Sequence, residues 1–199
     1  MSAAPKIILA SGSAIRADIL CAAGVVFDIV RPAVDEDTIK IEARAKGLGL
    51  RAMAQGLAEA KALSVDAPGA VVIGADQIMA ADGKGFDKPK TMEEAAARLS
   101  ALQGKSHSLI NAIAVARDGE IVFRNIDEPV LHLRSLTSEE IRRYLEEAGE
   151  GVLASVGAYQ VEALGARLFE RIEGDYFAVL GLSLYPLLGY LRAQGALDF

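Results

Sequence analysis

The sequence predicts a mixed α/β fold, with a twisted central sheet flanked by helices and two lobes with a cleft between them. Near the amino terminus, apolar strand-like segments alternate with helix-like segments, as in βα units. In the middle of the chain, two long apolar segments flank Asp118-Gly119, a strong hairpin turn. Neither an internal repeat nor a linker is visible, so we expect one domain spanning residues 1–199.

Hydrophobic periodicity and capping residues predict the helices. In the first helix Ile15, Ile19 and Leu20 share one face, and Gly24 follows its end. Two later helices open with a Thr-x-x-Glu capping box. The predicted helices are residues 14–23, 38–64 with a break at Gly47 and Gly49, 91–102, 137–149 and 183–193.

Short apolar segments bounded by turn residues predict the strands. The most apolar of them, "AVVIGA", follows Pro68-Gly69 and is expected to be a central strand buried on both faces, which Asp76 ends. The glycine-rich residues 81–90 are expected to form a loop. The predicted strands are residues 6–10, 25–30, 70–75 with a continuation at 78–80, 106–117, 120–133 and 167–172.

Charge and composition exclude several classes of protein. The net charge of -6 does not favour a nucleic-acid polymer as partner, because phosphate backbones bind basic surfaces. The single cysteine, Cys21, is expected to pack in the interior, and His107 and His132 are expected to be structural residues of the hairpin. No signal peptide is visible, and Pro186 interrupts the longest uncharged apolar segment. We therefore expect a cytoplasmic protein without a membrane span.

The segment "LASGSAIR" joins a predicted strand to a predicted helix. Free N–H groups at a helix amino terminus bind anions, and Arg16 can donate a pair of hydrogen bonds to phosphate oxygens. Ser11 and Ser13 add hydroxyl donors, and Gly12 permits close approach. The alternative remains open that Ser13 is only an N-cap and Arg16 a solvated helix residue.

Carboxylates and lysines supply the other candidates. Asp76 follows a buried apolar segment, where a carboxylate is costly unless it binds metal, pairs or performs acid–base chemistry; a surface turn is the alternative. Glu36 can share a divalent cation with Asp76 and a triphosphate, or can simply cap a helix. Lys61 and Lys88 can neutralise phosphates, although each alone is typical of a surface lysine. Together these groups suit hydrolysis of a phosphoanhydride.

The chain resembles the Maf family of nucleoside triphosphate pyrophosphatases nearly from end to end. The similar segments are "LASGSAIR", Val34-Asp35-Glu36, Lys61 in "LAEAKA", Gly74-Ala75-Asp76, Asp87-Lys88-Pro89, "LQGKSH" and the final "GAYQVEALGARLFERIEGDYFAVLGLSL". The resemblance implies hydrolysis of a nucleoside triphosphate to the monophosphate and pyrophosphate with Mg²⁺ or Mn²⁺, often in a homodimer. It implies that Asp76 activates water and binds the metal with Glu36. It also implies a phosphate-binding set of Ser11, Ser13, Arg16, Lys61 and Lys88.

Three positions depart from the commonest family pattern, and two of them, Gln77 and Glu162, resemble the branch that acts on 7-methyl-GTP, whereas Ile15 replaces an arginine of the common pattern. These substrate-specificity positions are Ile15, Gln77 and Glu162. A carboxylate can accept hydrogen bonds from the N1–H and N2–H₂ edge of guanine and stabilises the positive charge of a 7-methylated ring. The alternatives are a pyrophosphatase for dTTP, UTP or another non-standard nucleotide, and a nucleotide-binding regulator of cell division without turnover.

Overall fold

A computed structural model describes residues 4–199, which form two compact units. Of these residues, unit 1 contains those up to Gln77 together with Asn111–Asp127 and Leu180–Phe199, and unit 2 contains Ile78–Ile110 and Glu128–Val179. The mixed α/β class is confirmed, because parallel and antiparallel strands share one sheet with flanking helices.

The helices and strands follow in chain order. The helices are α1 (Ala14–Ala22), α2 (Glu36–Ala45), α3 (Leu50–Leu63), α4 (Met92–Leu102), α5 (Ser138–Ala148), α6 (Tyr176–Leu180) and α7 (Leu184–Ala193). The strands are β1 (Ile7–Ala10), β2 (Asp28–Val30), β3 (Val71–Ala81), β4 (Lys84–Phe86), β5 (Ser106–Arg117), β6 (Glu120–Asp127), β7 (Val130–Leu133) and β8 (Phe169–Glu173). Two 3₁₀ segments are Gly149–Ala154 and Leu164–Leu168.

In unit 1 the strands β2, β1 and β3 are parallel neighbours. Ile7 lies opposite Val71 and Ala10 opposite Gly74, so the carboxyl end of β1 lies beside the middle of β3. β5 and β6 form an antiparallel hairpin whose turn is Asp118-Gly119. Both turn residues have positive φ, 51° and 81°, as a two-residue hairpin turn requires. The core of this unit includes Leu9, Leu20, Leu57 and Ile73.

In unit 2 the antiparallel strands β5, β7 and β8 lie side by side. Side chains connect the three strands: the Ser106 hydroxyl oxygen lies 2.7 Å from Nδ1 of His132, and Nε2 of His132 lies 3.0 Å from Oε1 of Glu173. A second polar contact is buried, between Nε2 of His107 and the Tyr159 hydroxyl. The prediction that both histidines belong to strands of the hairpin region is confirmed.

Several predicted boundaries were wrong for physical reasons. Residues 120–133 form two strands, because the chain between them contains Pro129, which lacks an N–H for the ladder. Residues 81–90 are not wholly a loop, since β4 pairs with β3 through a turn at Asp82-Gly83. The predicted strand 25–30 is reduced to β2.

Two side-chain placements also differ from expectation. Cys21 is exposed, because α1 turns this position away from its buried residues Ile19 and Leu20. Asp76 does not end its strand but lies in the middle of β3, which continues to Ala81. The backbone on both sides of Asp76 is therefore regular β-strand.

Candidate active site

Gly74 brings strand β3 unusually close to helix α3. A Cβ at this position would lie 2.2 Å from the Ala58 carbonyl oxygen and 2.6 Å from the Ala62 nitrogen. Alternate residues of a strand face the same side, so Asp76 also faces α3. On the helix, Lys61 lies between Ala58 and Ala62, whose small side chains permit the contact. The close approach thus places Lys61 against Asp76.

Lys61 pairs with two carboxylates at once. Its Nζ lies 2.7 Å from Oδ1 of Asp76 and 2.9 Å from Oε1 of Glu36. Lys61 and Asp76 are each only 7% exposed. Burial of either charge alone would be strongly unfavourable, and the ion pair with its hydrogen bond offsets that cost. The surface-turn alternative for Asp76 is therefore excluded.

Glu36 reaches this pair from the first turn of α2. Asp35 caps the helix, its carboxylate accepting the Thr38 N–H over 3.1 Å, so that Glu36 becomes the first helical residue. Burial acts to raise the pKa of Glu36, but the hydrogen bond and charge of Lys61, with the charges of Lys40 and Arg16, leave this pKa below its ordinary value. Glu36 is therefore an anion at neutral pH.

The Arg16 guanidinium lies beside the same cluster. Its Nε donates to the Gly181 carbonyl over 2.7 Å, and its Nη1 donates to the Ala75 carbonyl over 2.9 Å. Burial lowers the pKa of Arg16, and the charges of Asp76 and Glu36 oppose that shift. Arg16 is thus a residue of the site rather than a solvated one, and it is fixed by backbone carbonyls on either side.

The two serines of the strand-to-helix turn have different surroundings. Ser11 is buried, and its Oγ accepts the Ser13 N–H over 3.1 Å and a bond from Nη1 of Arg16 over 3.3 Å. Ser13 occupies the N-cap position of α1, but its side chain makes no capping bond within the described residues. The backbone of the turn is therefore ordered by Ser11.

The predicted specificity residues Gln77 and Ile15 belong to the same unit as this cluster. A Cβ on Gly181 would lie 3.9 Å from the Gln77 amide nitrogen and 3.6 Å from Nε of Arg16, so Gln77 and Arg16 both border this glycine. Ile15 lies one residue before Arg16 on α1 and is half-buried.

Lys88 and Glu162 belong to unit 2. Lys88 is exposed, in the segment between β4 and α4. Glu162 is exposed and lies between the two 3₁₀ segments. Burial of the Tyr144 side chain, with a smaller contribution from the charge of Glu162, raises the pKa of Tyr144 to about 12. The structure therefore brings together one predicted group in unit 1: Ser11, Ser13, Arg16, Glu36, Lys61, Asp76 and Gln77.

The sequence did not predict a buried polar pair, Asn111 and Ser183, which lies close in the chain to Gly181. Oδ1 of Asn111, which is 0% exposed, accepts the Ser183 N–H over 3.0 Å and the Ser183 hydroxyl over 2.8 Å. Ser183 is the N-cap residue of α7 and lies two residues after Gly181. Gly181 has a φ of 106°, a backbone conformation that glycine adopts more readily than other residues. The asparagine inside the long apolar strand β5 is the feature of the sequence that could have indicated this buried pair.

The donor set fits a hard divalent cation. Glu36 and Asp76 each contact Lys61 through one carboxylate oxygen, and carboxylate oxygens are the ligands that Mg²⁺ and Mn²⁺ prefer. Across residues 4–199, no group of three or more His, Cys, Asp or Glu side chains is placed to hold a metal. Mg²⁺ commonly binds through one or two carboxylates plus substrate phosphates, which suits such a pair.

The charges of the cluster are balanced, with Arg16 and Lys61 against Glu36 and Asp76. A triphosphate would add several negative charges and a divalent cation would compensate part of them. The cluster can therefore accept a triphosphate and a divalent cation together more readily than either of them alone. It combines a serine-containing turn at a helix amino terminus, two cations and a buried carboxylate.

The chain belongs to the Maf family. The family profile, described as Maf-like protein, matches residues 6–194. This range includes every residue of the cluster.

Three relatives are similar to this chain over nearly its whole length. A protein of Hyphomonas neptunium is 47% identical over 96% of this chain and 97% of its own length. Proteins of Granulibacter bethesdensis and Caulobacter vibrioides are 42% and 45% identical, over 96% and 99% of this chain and 98% and 99% of their own lengths. All three carry the name nucleoside triphosphate pyrophosphatase. Within residues 4–199, no helix has the length and apolar character needed to cross a bilayer.

Proposed function

We propose that this protein is a nucleoside triphosphate pyrophosphatase, which hydrolyses a nucleoside triphosphate to the monophosphate and pyrophosphate. The observation that carries the proposal is the buried Asp76 carboxylate, which shares Lys61 with Glu36 and lies beside Arg16. The names of the full-length relatives support the same activity. A purely structural ion pair would not require an anion-binding turn at the same place.

Each residue has a part in the proposed reaction. The hydroxyls of Ser11 and Ser13, with Arg16, Lys61 and Lys88, bind the phosphate oxygens. Asp76 accepts a proton from the attacking water, whose oxygen bonds to phosphorus as one phosphoanhydride P–O bond breaks and pyrophosphate leaves. Glu36 and Asp76 would hold a Mg²⁺ or Mn²⁺ ion, which supplies charge neutralisation at the phosphates.

The experiment is a nucleotide panel with the purified protein. Incubation with Mg²⁺ or Mn²⁺ should release pyrophosphate and the monophosphate in equal amounts, with only background release when EDTA is present. Release of orthophosphate and a diphosphate would overturn the proposal. Binding of the nucleotides without any product would favour the nucleotide-binding regulator instead.

The preferred substrate in this proposal is 7-methyl-GTP. The Glu162 carboxylate can accept two hydrogen bonds from the guanine edge and attract the cationic 7-methylated ring. The same carboxylate would face the O2 or O4 acceptors of a pyrimidine unfavourably. Ile15 adds no positive charge that would oppose the base, and Gln77 lies next to Arg16 and Gly181 in unit 1.

Changing Glu162 to glutamine tests this preference. The Glu162→Gln variant keeps the size of the side chain and loses its charge, so kcat/KM for 7-methyl-GTP should fall by about tenfold or more relative to dTTP. Glu170→Gln, at another exposed glutamate of unit 2, is the matched control. An unchanged ratio of the two substrates would remove the assignment of Glu162 while leaving the pyrophosphatase activity in place.

A further inference from the structure

Arg98, on helix α4, is held by three groups of unit 2 outside its own helix. Its Nη1 donates to the Asp87 carbonyl over 2.9 Å and also to the Val156 carbonyl in a short hydrogen bond. Its guanidinium carbon lies 4.9 Å from the centre of the Phe86 ring, a cation–π distance. One side chain therefore connects two segments that are distant in sequence.

The first of these segments carries Lys88. Arg98 holds the carbonyl of Asp87, the residue before Lys88, while the Glu94 carboxylate accepts the Lys90 N–H over 2.8 Å. Pro89 lies buried between these points. Both contacts come from α4, so the helix fixes the backbone on each side of Lys88.

The second segment leads from Val156 to Glu162 and has little freedom. A Cβ on Gly157 would lie 2.1 Å from the Tyr159 ring, and Tyr159 is anchored in turn by its hydrogen bond with His107. A Cβ on Gly165 would lie 2.4 Å from the Gln160 carbonyl. The segment that carries Glu162 is thus packed against itself, and Arg98 holds its start.

We infer that Arg98 is a positioning residue that sets the spacing between Lys88 and Glu162, and so between the phosphates and the base of the bound nucleotide. This inference rests on the proposed function of those two residues. Arg98 itself acts through backbone carbonyls. Burial lowers the pKa of Arg98 while the charges of Glu94 and Asp87 oppose that shift, as expected for a guanidinium enclosed between segments.

The kinetic test is a double-mutant cycle with 7-methyl-GTP and dTTP as the probes. Arg98→Met keeps an apolar chain beside Phe86 but loses the donors, and should raise KM by about tenfold with little change in kcat. In a Lys88→Ala background the same change should raise KM by much less than tenfold, because the lysine is absent and only the placement of Glu162 remains to be lost. Arg98→Lys should restore much of the loss, since one ammonium can donate to both carbonyls.

Arg142→Met is the matched control, because Arg142 forms only exposed ion pairs on α5 and should leave KM unchanged. Hydrogen–deuterium exchange gives a readout that does not depend on turnover. Arg98→Met should increase exchange at residues 84–90 and 155–162 and not elsewhere.

Equal effects of Arg98→Met in both backgrounds, or an increase in exchange across the whole chain, would overturn the inference. If the unmodified protein releases no pyrophosphate from any nucleotide, the proposed function fails instead, and the role of Arg98 in positioning a nucleotide fails with it. These two failures are distinguished by the unmodified protein alone.

Discussion

Lys61 is the residue on which the charge arrangement of the site depends. Its single ammonium contacts both Asp76 and Glu36, and it reaches them from the last turn of α3, on the buried side of the helix. Without it, two carboxylates would lie close together with no ammonium in direct contact with both, and with the charges of Arg16 and Lys40 to compensate them. A lysine in this position therefore stabilises the fold and prepares the site for anionic ligands.

Replacing Lys61 with methionine should destabilise the protein. The Lys61→Met change leaves a buried carboxylate without its ion-pair partner, which typically costs about 3 kcal/mol or more in the free energy of unfolding. Urea denaturation at neutral pH measures the loss. The double variant Lys61→Met/Asp76→Asn should recover part of it, and a loss below about 1 kcal/mol in the single variant would contradict the account.

The sequence indicated several residues that the structure brings together, but it did not indicate how they pair. Asp76 stood out because a carboxylate follows a buried apolar segment, and the serine–arginine turn stood out because it joins a strand to a helix. Nothing local indicates that Lys61 bridges Asp76 and Glu36, which are fifteen residues or more away in sequence. That contact depends on how closely two elements pack.

At the scale of elements, the packing of α3 against β3 positions the site. Gly74 has no side chain where Ala58 and Ala62 approach, and Asp76 follows two residues later on the same side of the strand. A larger residue at position 74 would move the helix away from the strand and separate Lys61 from Asp76.

Gly74→Ala should therefore impair both stability and activity. The added methyl group would overlap backbone atoms of α3, and overpacking of this kind costs about 1–3 kcal/mol. Thermal unfolding and pyrophosphate release are the measurements. Gly56→Ala is the control, because among residues 4–199 no atom outside its own turn of the helix lies within 4 Å of the added methyl group, and the change should stabilise α3 by about 0.5–1 kcal/mol. Equal behaviour of the two variants would refute the packing argument.

The strongest local signals predicted the elements well. The Thr137 capping box, the Asp118-Gly119 turn and the break at Gly47 and Gly49 all occur as expected. The glycines near residue 83 signal a turn but not whether strands flank it, so β4 was missed. The strand predicted at residues 25–30 was longer than β2, because an apolar segment does not show how many of its residues pair with a neighbouring strand.

At the scale of the whole molecule, the polar groups inside each unit make stability depend on pH. In unit 2, burial, with a smaller contribution from the charge of His132, lowers the pKa of His107 to about 4. The unfolded chain binds a proton near the ordinary value of 6.5, so the unfolded state gains protons first as pH falls.

The free energy of unfolding should therefore fall by about 3 kcal/mol from this residue as pH decreases from about 7 to about 4. Urea denaturation across that range measures the dependence. His107→Gln should reduce the slope, whereas His132→Gln, at the partly exposed histidine of β7, should keep most of it. Identical slopes for the unmodified protein and His107→Gln would show that His107 is not buried as a neutral ring.

For the whole protein as an enzyme, we propose that the buried Asp76, held by Lys61 beside Arg16, performs the hydrolysis. The most direct test compares pyrophosphate release by the unmodified protein and Asp76→Asn at saturating nucleotide and Mg²⁺, after circular dichroism has shown that both are folded. Asparagine cannot accept the proton of the attacking water, so kcat should fall by about 10²–10⁴-fold. Equal rates for the two folded proteins would contradict the account.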